Sequence, residues 1–266
     1  MFPQDRIRQL SEQKPEHLIR KYVDAERKNR PWFTHGNFAG AITNNIFFLY
    51  AGSTVASNNL PVFLSLLYSH PHVLQKVRAE LATLPNPGHI TMADLERKDG
   101  KPCRIPYTEA AILEAFRLTP TFGQTLPRVV PPVGCQLNEF FIPPGYEVGM
   151  SGWTVNYDKS YFGEDAAEYK PERWLGDHPS ETERGGKEEK KRTMRNYLEA
   201  GWFTFGAGAR VCVGRWLTTV AFAKCVAAVD ERLEVEVVEK PREWYSLVVH
   251  AEGMAVRFRK KNKAQV

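Results

Sequence analysis

Cys212 lies in a glycine-rich segment whose residue types favour a metal–thiolate loop. Three glycines flank it: Gly206, Gly208 and Gly214. Glycine adopts backbone dihedrals that other residues resist, and it lets the backbone approach a bulky planar cofactor. Backbone N–H groups and the positive N-terminal end of a following helix both stabilise a thiolate. Arg210 adds a nearby cation that is suited to an acidic group on such a cofactor.

Three other interpretations of this segment remain open from the residues alone. The glycines could bind a dinucleotide, but Val211 occupies the place of the third glycine and no later acid completes such a unit. Cys212 could be a buried structural thiol, because free cysteine packs as a small hydrophobe. It could also be a nucleophile, although no histidine is near it in sequence and no nucleophile elbow is present.

Glu114 and Arg117 form a second chemically informative pair. They lie three residues apart within a predicted helix over residues 106–118, which puts them on one helix face. An exposed pair of this kind stabilises a helix by only a few tenths of a kcal/mol. A larger role therefore requires burial and further partners.

The composition is that of a globular protein. The chain has 266 residues, 42% of them hydrophobic and 25% charged, with a net charge of +5. The basic residues are scattered among acids, so no nucleic-acid partner is expected. Four cysteines without CxxC spacing argue against a zinc ribbon and fit a reduced, intracellular chain. The start of the chain has no apolar signal region, and the longest apolar run, about 46–56, is too short for a membrane span.

Apolar periodicity predicts the elements that would position these residues. Helices are expected over 36–68, 71–84, 106–118 and 214–229. Short hairpin strands are expected over 126–130, 139–142 and 146–150, and later strands over 233–237, 247–249 and 254–258. Pro61 predicts a kink in the first of these helices. Residues 5–30 and 176–196 are highly charged and are predicted to be solvated.

Three segments resemble motifs of the cytochrome P450 superfamily. Phe205-x-x-Gly208-x-Arg210-x-Cys212-x-Gly214 is similar to its haem-binding signature at every defining position. Glu114-Ala115-Phe116-Arg117 resembles the E-x-x-R motif of its K helix, and residues 162–175 resemble the segment with its PERF or PERW element. These segments are most similar to those of fungal members of the superfamily. The resemblance extends over about residues 36–258.

The resemblance implies a mainly α fold with small β-sheets, the C-terminal portion of the cytochrome P450 fold. Residues 1–35 would be a charged helical segment and residues 36–266 a haem-binding domain. Because the chain starts just before the position of the I helix, we expect the membrane anchor, the first sheet and the helices over the substrate pocket to be missing. Exposed apolar faces would follow. We expect an intracellular, cytoplasmic chain, although family members are often found at the endoplasmic-reticulum membrane.

The resemblance also assigns site residues. The cofactor would be haem b, with Cys212 as the axial thiolate ligand of the iron. The remaining residues of its site would be Arg210, Arg128, Phe205, Gly208 and Gly214, the two arginines binding propionates. Arg128 also fits a hairpin surface residue. Glu114, Arg117 and Arg173 would form a buried triad that fixes the loop before the cysteine.

The oxygen side of the site departs from the family pattern. Gly52 and Thr54 would line it, but Val55 stands where the family has a hydroxyl that relays protons. Thr54 or its polar neighbours Ser53, Ser57 and Asn58 could hold a water instead. These residues equally fit simple helix packing. Asn156 is a smaller departure, because many members have histidine there.

The function implied is a haem-thiolate monooxygenase, which inserts one oxygen atom from O2 into an apolar organic substrate in fungal secondary metabolism. Electrons would come from an NADPH-dependent reductase. Val55 favours an alternative, a haem-thiolate isomerase or dehydratase that does not use O2. A truncated, catalytically impaired haem-binding remnant is a third possibility.

Overall fold

The structure of the protein is a computed structural model. It describes residues 38–95, 103–122, 124–175, 203–206, 210–246 and 248–261. The segments 5–30 and 176–196, predicted to be solvated, lie outside the described residues. The chain divides into two compact units, Met1–Val55 and Ala56–Val266.

The described part is mainly helical, as predicted. Its α-helices are α1 Phe38–Ser69, α2 Pro71–Leu81, α3 Met92–Leu95, α4 Pro106–Leu118, α5 Gly152–Asn156, α6 Lys159–Phe162 and α7 Arg215–Arg232. Short 3₁₀ turns occur at Pro87–His89, Pro171–Trp174 and Phe203–Phe205. Pro61 lies inside α1, and helical structure continues on both sides of it. None of the helices in the described ranges is long and apolar enough to cross a membrane.

Helix α4 has the predicted bounds, and its start has a specific cause. Pro106 occupies the first turn, where a missing N–H costs nothing. No side chain at the N-cap satisfies the free amides of this turn. Glu80 does so from α2, because its carboxylate accepts the N–H groups of Tyr107 and Thr108, each at 2.7 Å. A carboxylate in this place also interacts favourably with the helix dipole.

Helix α2 ends three residues earlier than the periodicity predicts, at Leu81 rather than residue 84. Its apolar face is buried through Val73, Leu74, Val77 and Leu81. Beyond Leu81 the chain forms tight turns. The N–H groups of Thr83 and Leu84 donate to the carbonyls three residues before them, at 3.0 and 3.1 Å. Leu84 is still buried, which is why the apolar pattern continues past the helix.

The strands form four small antiparallel pairs. They are β1 Arg128–Val129 with β4 Glu147–Val148, β2 Cys135–Leu137 with β3 Phe140–Ile142, β5 Leu233–Glu239 with β8 Ala255–Lys260, and β6 Arg242–Tyr245 with β7 Val249–Glu252. The β5–β8 register pairs Leu233 with Lys260 and Val237 with Val256. The predicted strand over 247–249 is shifted, because β7 begins at Val249.

The core of the second unit is built from apolar faces of α2, α4, α7 and the C-terminal half of α1. A row of rings runs through it. Phe63 stacks on Phe222 at 5.7 Å, Phe222 contacts Phe116 at 5.3 Å, and Phe116 meets Phe205 edge-on at 5.3 Å. Each such pair adds about 0.5–1.5 kcal/mol beyond its buried area. The row therefore ties residue 205, next to the predicted cofactor loop, to the protein interior.

Several large apolar side chains are exposed, as expected from the sequence. In α1 they form a continuous run over residues 46–50, and in the β2–β3 hairpin they include Leu137, Phe140 and Phe141. Exposed apolar residues scattered singly are normal on a protein surface, whereas contiguous apolar patches are rarer.

Candidate functional site

Glu114 is the centre of a buried ionic cluster. Its side chain is fully buried on α4. Arg117 donates from Nε and Nη2 to the two carboxylate oxygens, both at 2.8 Å, and Arg173 donates from Nε to Oε1 at 3.1 Å. The structure thus brings together the three side chains that sequence analysis grouped. The paired Arg117 bonds form a planar fork, the strongest geometry between guanidinium and carboxylate.

Two further donors complete the environment of Glu114. The Lys170 backbone N–H donates to Oε1 at 3.2 Å, and the indole Nε1 of Trp174 donates to Oε2 at 2.9 Å. The buried carboxylate therefore accepts five hydrogen bonds from described residues, which offsets the cost of removing its charge from water. Sequence reasoning missed Trp174, although a buried tryptophan usually needs a partner for its N–H.

Arg117 links α4 to the chain segment from Asn156 to Glu168 through hydrogen bonds. Its Nη1 donates to the carbonyls of Asn156 and Ala166, each at 2.6 Å, and Nη2 donates to the Glu168 carbonyl at 3.2 Å. The Phe162 ring lies 4.7 Å from the guanidinium carbon. Every N–H direction of the guanidinium is used, so its burial leaves no donor unpaired.

Arg173 links the cluster to a second carboxylate, Asp165. Its Nη1 donates to Asp165 Oδ1 at 2.8 Å, and its Nη2 donates to the Asp165 carbonyl. Lys170 reaches the other carboxylate oxygen at 2.8 Å. Burial raises the pKa of Asp165, but the hydrogen bonds from Arg173 and Lys170 outweigh it and lower the pKa to about 2. Asp165 therefore stays ionised and balances the charge of Arg173.

Cys212 lies on the surface, between the 3₁₀ turn at Phe203–Phe205 and α7. Its side chain is exposed, which is at odds with a buried structural thiol. Its backbone N–H donates to the Phe205 carbonyl at 2.7 Å. Gly206 has a φ of 72°, a left-handed conformation that side chains disfavour. The loop therefore needs glycine at this position.

Gly214 has a different role from Gly206. Its φ of −83° is open to any residue, and it is the N-cap of α7. A Cβ at this position would lie 3.7 Å from Cys212 Sγ, so the sulfur is close to the first turn of an 18-residue helix. The partial positive charge at that end attracts anions.

The segment before the loop is attached to α4. Phe205 packs on Phe116, and the Thr204 hydroxyl donates to the Phe116 carbonyl at 3.3 Å. Asn156 Nδ2 donates to the same hydroxyl at 3.0 Å. Phe116 directly precedes Arg117. Helix α4 therefore contacts the segment before the Cys212 loop and also carries part of the ionic cluster.

Cys212 offers an exposed sulfur, which fits a metal that carries its other ligands, such as the iron of a porphyrin. The described ranges contain no group of three or more His, Cys, Asp or Glu side chains that could hold an ion. Val213, which follows Cys212, and Leu217 in the first turn of α7 are 82% and 70% exposed, which suits contact with an apolar ring system.

The remaining predicted residues are more dispersed. Arg210 is exposed, and Gly208 lies outside the described residues. Arg128 is exposed on β1, and its Nη1 donates to the carbonyls of Leu126 and Pro127 at 3.3 and 2.9 Å. Both proposed propionate-binding cations are therefore open to solvent, and Arg128 is held against its own backbone.

Gly52 and Thr54 lie on α1 in the first compact unit, whereas Cys212 belongs to the second. Gly52 is exposed, and a Cβ there would meet nothing within 4 Å. Thr54 and Val55 are half-buried. The Ser53 hydroxyl donates to the Leu49 carbonyl at 2.6 Å, so its proton is used within the helix.

Comparisons with known proteins agree with the motifs. Residues 2–258 match the family model described as Cytochrome P450. The chain is 33% identical over 255 residues to "Cytochrome P450 monooxygenase pkfB" of Emericella nidulans, covering 93% of this chain and 44% of that protein. It is 32% identical over 194 residues to "Pisatin demethylase" of Fusarium vanettenii, covering 73% of this chain and 34% of that protein. The chain thus spans less than half the length of these curated relatives.

A solved structure supports the fold. The "Crystal structure of a Cytochrome P450 (CYP102L1)" superposes with a TM-score of 0.63, covering 85% of this chain and 46% of that one. Sequence identity is 22%, so this likeness concerns the fold. The mainly α architecture with small sheets, predicted as the C-terminal portion of this fold, is confirmed.

Proposed function

Because the chain belongs to the cytochrome P450 family, we propose that it carries the haem-binding part of a monooxygenase, with Cys212 as the thiolate ligand of haem b. One observation carries the proposal. An exposed Cys212 lies at the N-terminal end of α7, and Phe205, which accepts its N–H, packs on the helix of the buried Glu114 cluster. When bound, a haem with a thiolate ligand supplies the activation of dioxygen.

In this proposal the loop residues hold the cofactor. The bond from the Cys212 N–H to the Phe205 carbonyl fixes the backbone on which the sulfur is presented. The N-terminal end of α7, at Gly214, lies close to that sulfur. Phe205 and Gly214 would contact the ring, and Arg210 and Arg128 would pair with its carboxylates. Gly208, proposed for the same site, lies outside the described residues.

The Glu114–Arg117–Arg173 cluster has a positioning role in the proposal. It holds α4 and the chain from Asn156 to Trp174 in one arrangement. The segment 203–205 is attached to the same helix. A loop that presents a metal ligand must be held in this way, because a misplaced ligand loses affinity.

In this proposal Gly52 and Thr54 would line the oxygen side of the site. The residues beside them also support a second candidate function. The side chain of Val55 has no hydrogen-bonding group, and the Ser53 hydroxyl donates its proton to the Leu49 carbonyl. A site without a hydroxyl relay favours a haem-thiolate isomerase or dehydratase that rearranges its substrate without O2. Thr54 is then the residue on which the choice between the two functions depends.

Substrate and partner belong to the proposal as well. The relatives carry names of fungal monooxygenases and of a demethylase. We propose an apolar organic substrate of secondary metabolism and electrons from an NADPH-dependent reductase. We also propose the division into a charged segment, 1–35, and a haem-binding domain, 36–266. The intracellular location remains a prediction.

Two assays on the haem-loaded chain separate the candidate functions. A monooxygenase consumes O2 only when NADPH and a fungal reductase are both present. An isomerase or dehydratase converts a fatty-acid hydroperoxide without either. The matched control is Cys212→Ser, which should be inactive in both assays. A wild-type chain that binds haem yet is inactive in both would contradict both functions.

A further inference from the structure

Asn156 is a buried residue that contacts α4 in two directions. It ends α5 and is fully buried. Arg117 Nη1 donates to the Asn156 carbonyl at 2.6 Å, and Asn156 Nδ2 donates back to the Arg117 carbonyl at 3.0 Å. Reciprocal bonds of this kind fix both the distance and the orientation of two segments. The end of α5 is thereby held beside the ionic cluster.

The same amide group reaches the segment before the cysteine. Asn156 Nδ2 donates its second hydrogen to Thr204 Oγ1 at 3.0 Å. An amide NH₂ has two hydrogens, so this bond and the bond to Arg117 form together. Thr204 is itself buried, and its hydroxyl donates to the Phe116 carbonyl at 3.3 Å. The hydroxyl thus accepts from one element and donates to another.

Thr204 is one residue away from the backbone contact of Cys212. Its neighbour Phe205 accepts the Cys212 N–H at 2.7 Å. From these contacts we propose that Asn156 and Thr204 are positioning residues, which fix the Cys212 loop on α4 and so couple it to the Glu114–Arg117 pair. The consequence for haem retention rests on the proposed function, whereas the coupling of loop and helix does not.

The side-chain hydrogen bonds of Asn156 are made by its amide nitrogen and not by its amide oxygen. Its Oδ1 is buried and has no hydrogen-bond partner among the described residues. Leaving a buried acceptor unpaired destabilises a fold, and an apolar side chain of similar size would avoid that cost. The residue is explained by the two bonds that Nδ2 donates.

Amide hydrogen exchange in the chain without haem tests the coupling, with the Cys212 N–H as the reporter. Thr204→Val keeps the shape of the side chain and removes both hydroxyl bonds. We expect it to speed exchange at Cys212 about tenfold, as the loss of one or two ordinary hydrogen bonds would. Thr204→Ser retains the hydroxyl and should restore the wild-type rate. Asn156→Leu should speed exchange similarly, and in the double variant the two effects should not add.

Thr219→Val is the matched control. Thr219 is also buried, but its hydroxyl donates to the Arg215 carbonyl within α7. Exchange of the Cys212 N–H should therefore stay at the wild-type rate. The proposal is overturned if Thr204→Val leaves the Cys212 rate unchanged. It is also overturned if all amides of the second unit speed up equally, because that result means general destabilisation. Both outcomes are measured on the chain without cofactor, so a failure of haem binding would not alter them.

Discussion

Trp174 donates its indole N–H to Oε2 of the buried Glu114 carboxylate at 2.9 Å. The ring therefore does more than fill space at the end of its 3₁₀ turn. It supplies one of the five donors that keep a negative charge in the protein interior. The ionic cluster accordingly depends on an uncharged neighbour as well as on its two arginines.

Trp174→Phe should lower the free energy of unfolding by about 1–3 kcal/mol, because the ring remains while the buried carboxylate loses a donor. Urea unfolding followed by far-UV circular dichroism measures the change. Trp216→Phe is the control, since Trp216 is 41% exposed and contacts Arg215 at the surface. Equal stabilities of the two variants would contradict a structural role for the indole bond.

Glu114→Gln should be more damaging, with a loss of roughly 3–5 kcal/mol, because it leaves Arg117 and Arg173 buried with one counter-ion fewer. The matched control is Glu164→Gln. Glu164 pairs with Lys159 at 2.7 Å, but both side chains are exposed, so its loss should cost no more than about 1 kcal/mol. The same unfolding experiment serves both variants, and a Glu114→Gln loss as small as that of the control would count against the cluster.

Acid should weaken the cluster in a defined window. The folded pKa of Asp165, about 2, lies below its ordinary value of 3.8. The stabilisation is therefore complete above the ordinary pKa and is lost as pH falls from about 4 towards 2. Asp165→Asn should flatten the dependence of unfolding free energy on pH in that window, as measured by urea titrations at stepped pH. An unchanged slope in the variant would contradict the Arg173–Asp165 pairing.

Gly206→Ala should destabilise the loop by about 1–2 kcal/mol, because a φ of 72° is strained for any residue with a Cβ. Gly52→Ala is a useful contrast. Gly52 lies inside α1 with open space around it, so alanine should stabilise the helix by about 0.5–1 kcal/mol. Thermal unfolding compares the two, and the opposite order of melting temperatures would contradict the assigned loop conformation.

The local elements were the most predictable part of the fold. Helix α4 has the predicted bounds because Pro106 marks its start and its interior is apolar. The end of α2 was placed too late, since Leu84 continues the apolar pattern in a turn. Strand β6 was missed because Arg242–Tyr245 reads Arg-Glu-Trp-Tyr and has no alternation. Its pairing with β7 is what makes it a strand.

The site shows the same division between local and long-range information. Glu114 and Arg117 are three residues apart, so helix geometry alone predicted their contact. The bond from Asn156 to Thr204 joins residues 48 positions apart, and nothing in their spacing indicates it. Asn156 was noticed only as a departure from a family pattern, whereas its two bonds to neighbouring elements became visible in the structure.

The central claim is that the Cys212 thiolate binds haem iron. Its most direct test is the absorption spectrum of the haem-loaded chain after reduction and addition of carbon monoxide. The wild type should show the red-shifted Soret band of thiolate ligation, and Cys225→Ser, which changes a half-buried thiol of α7, should show it too. Cys212→Ser should lose the band. A serine variant that retains it would contradict the assignment.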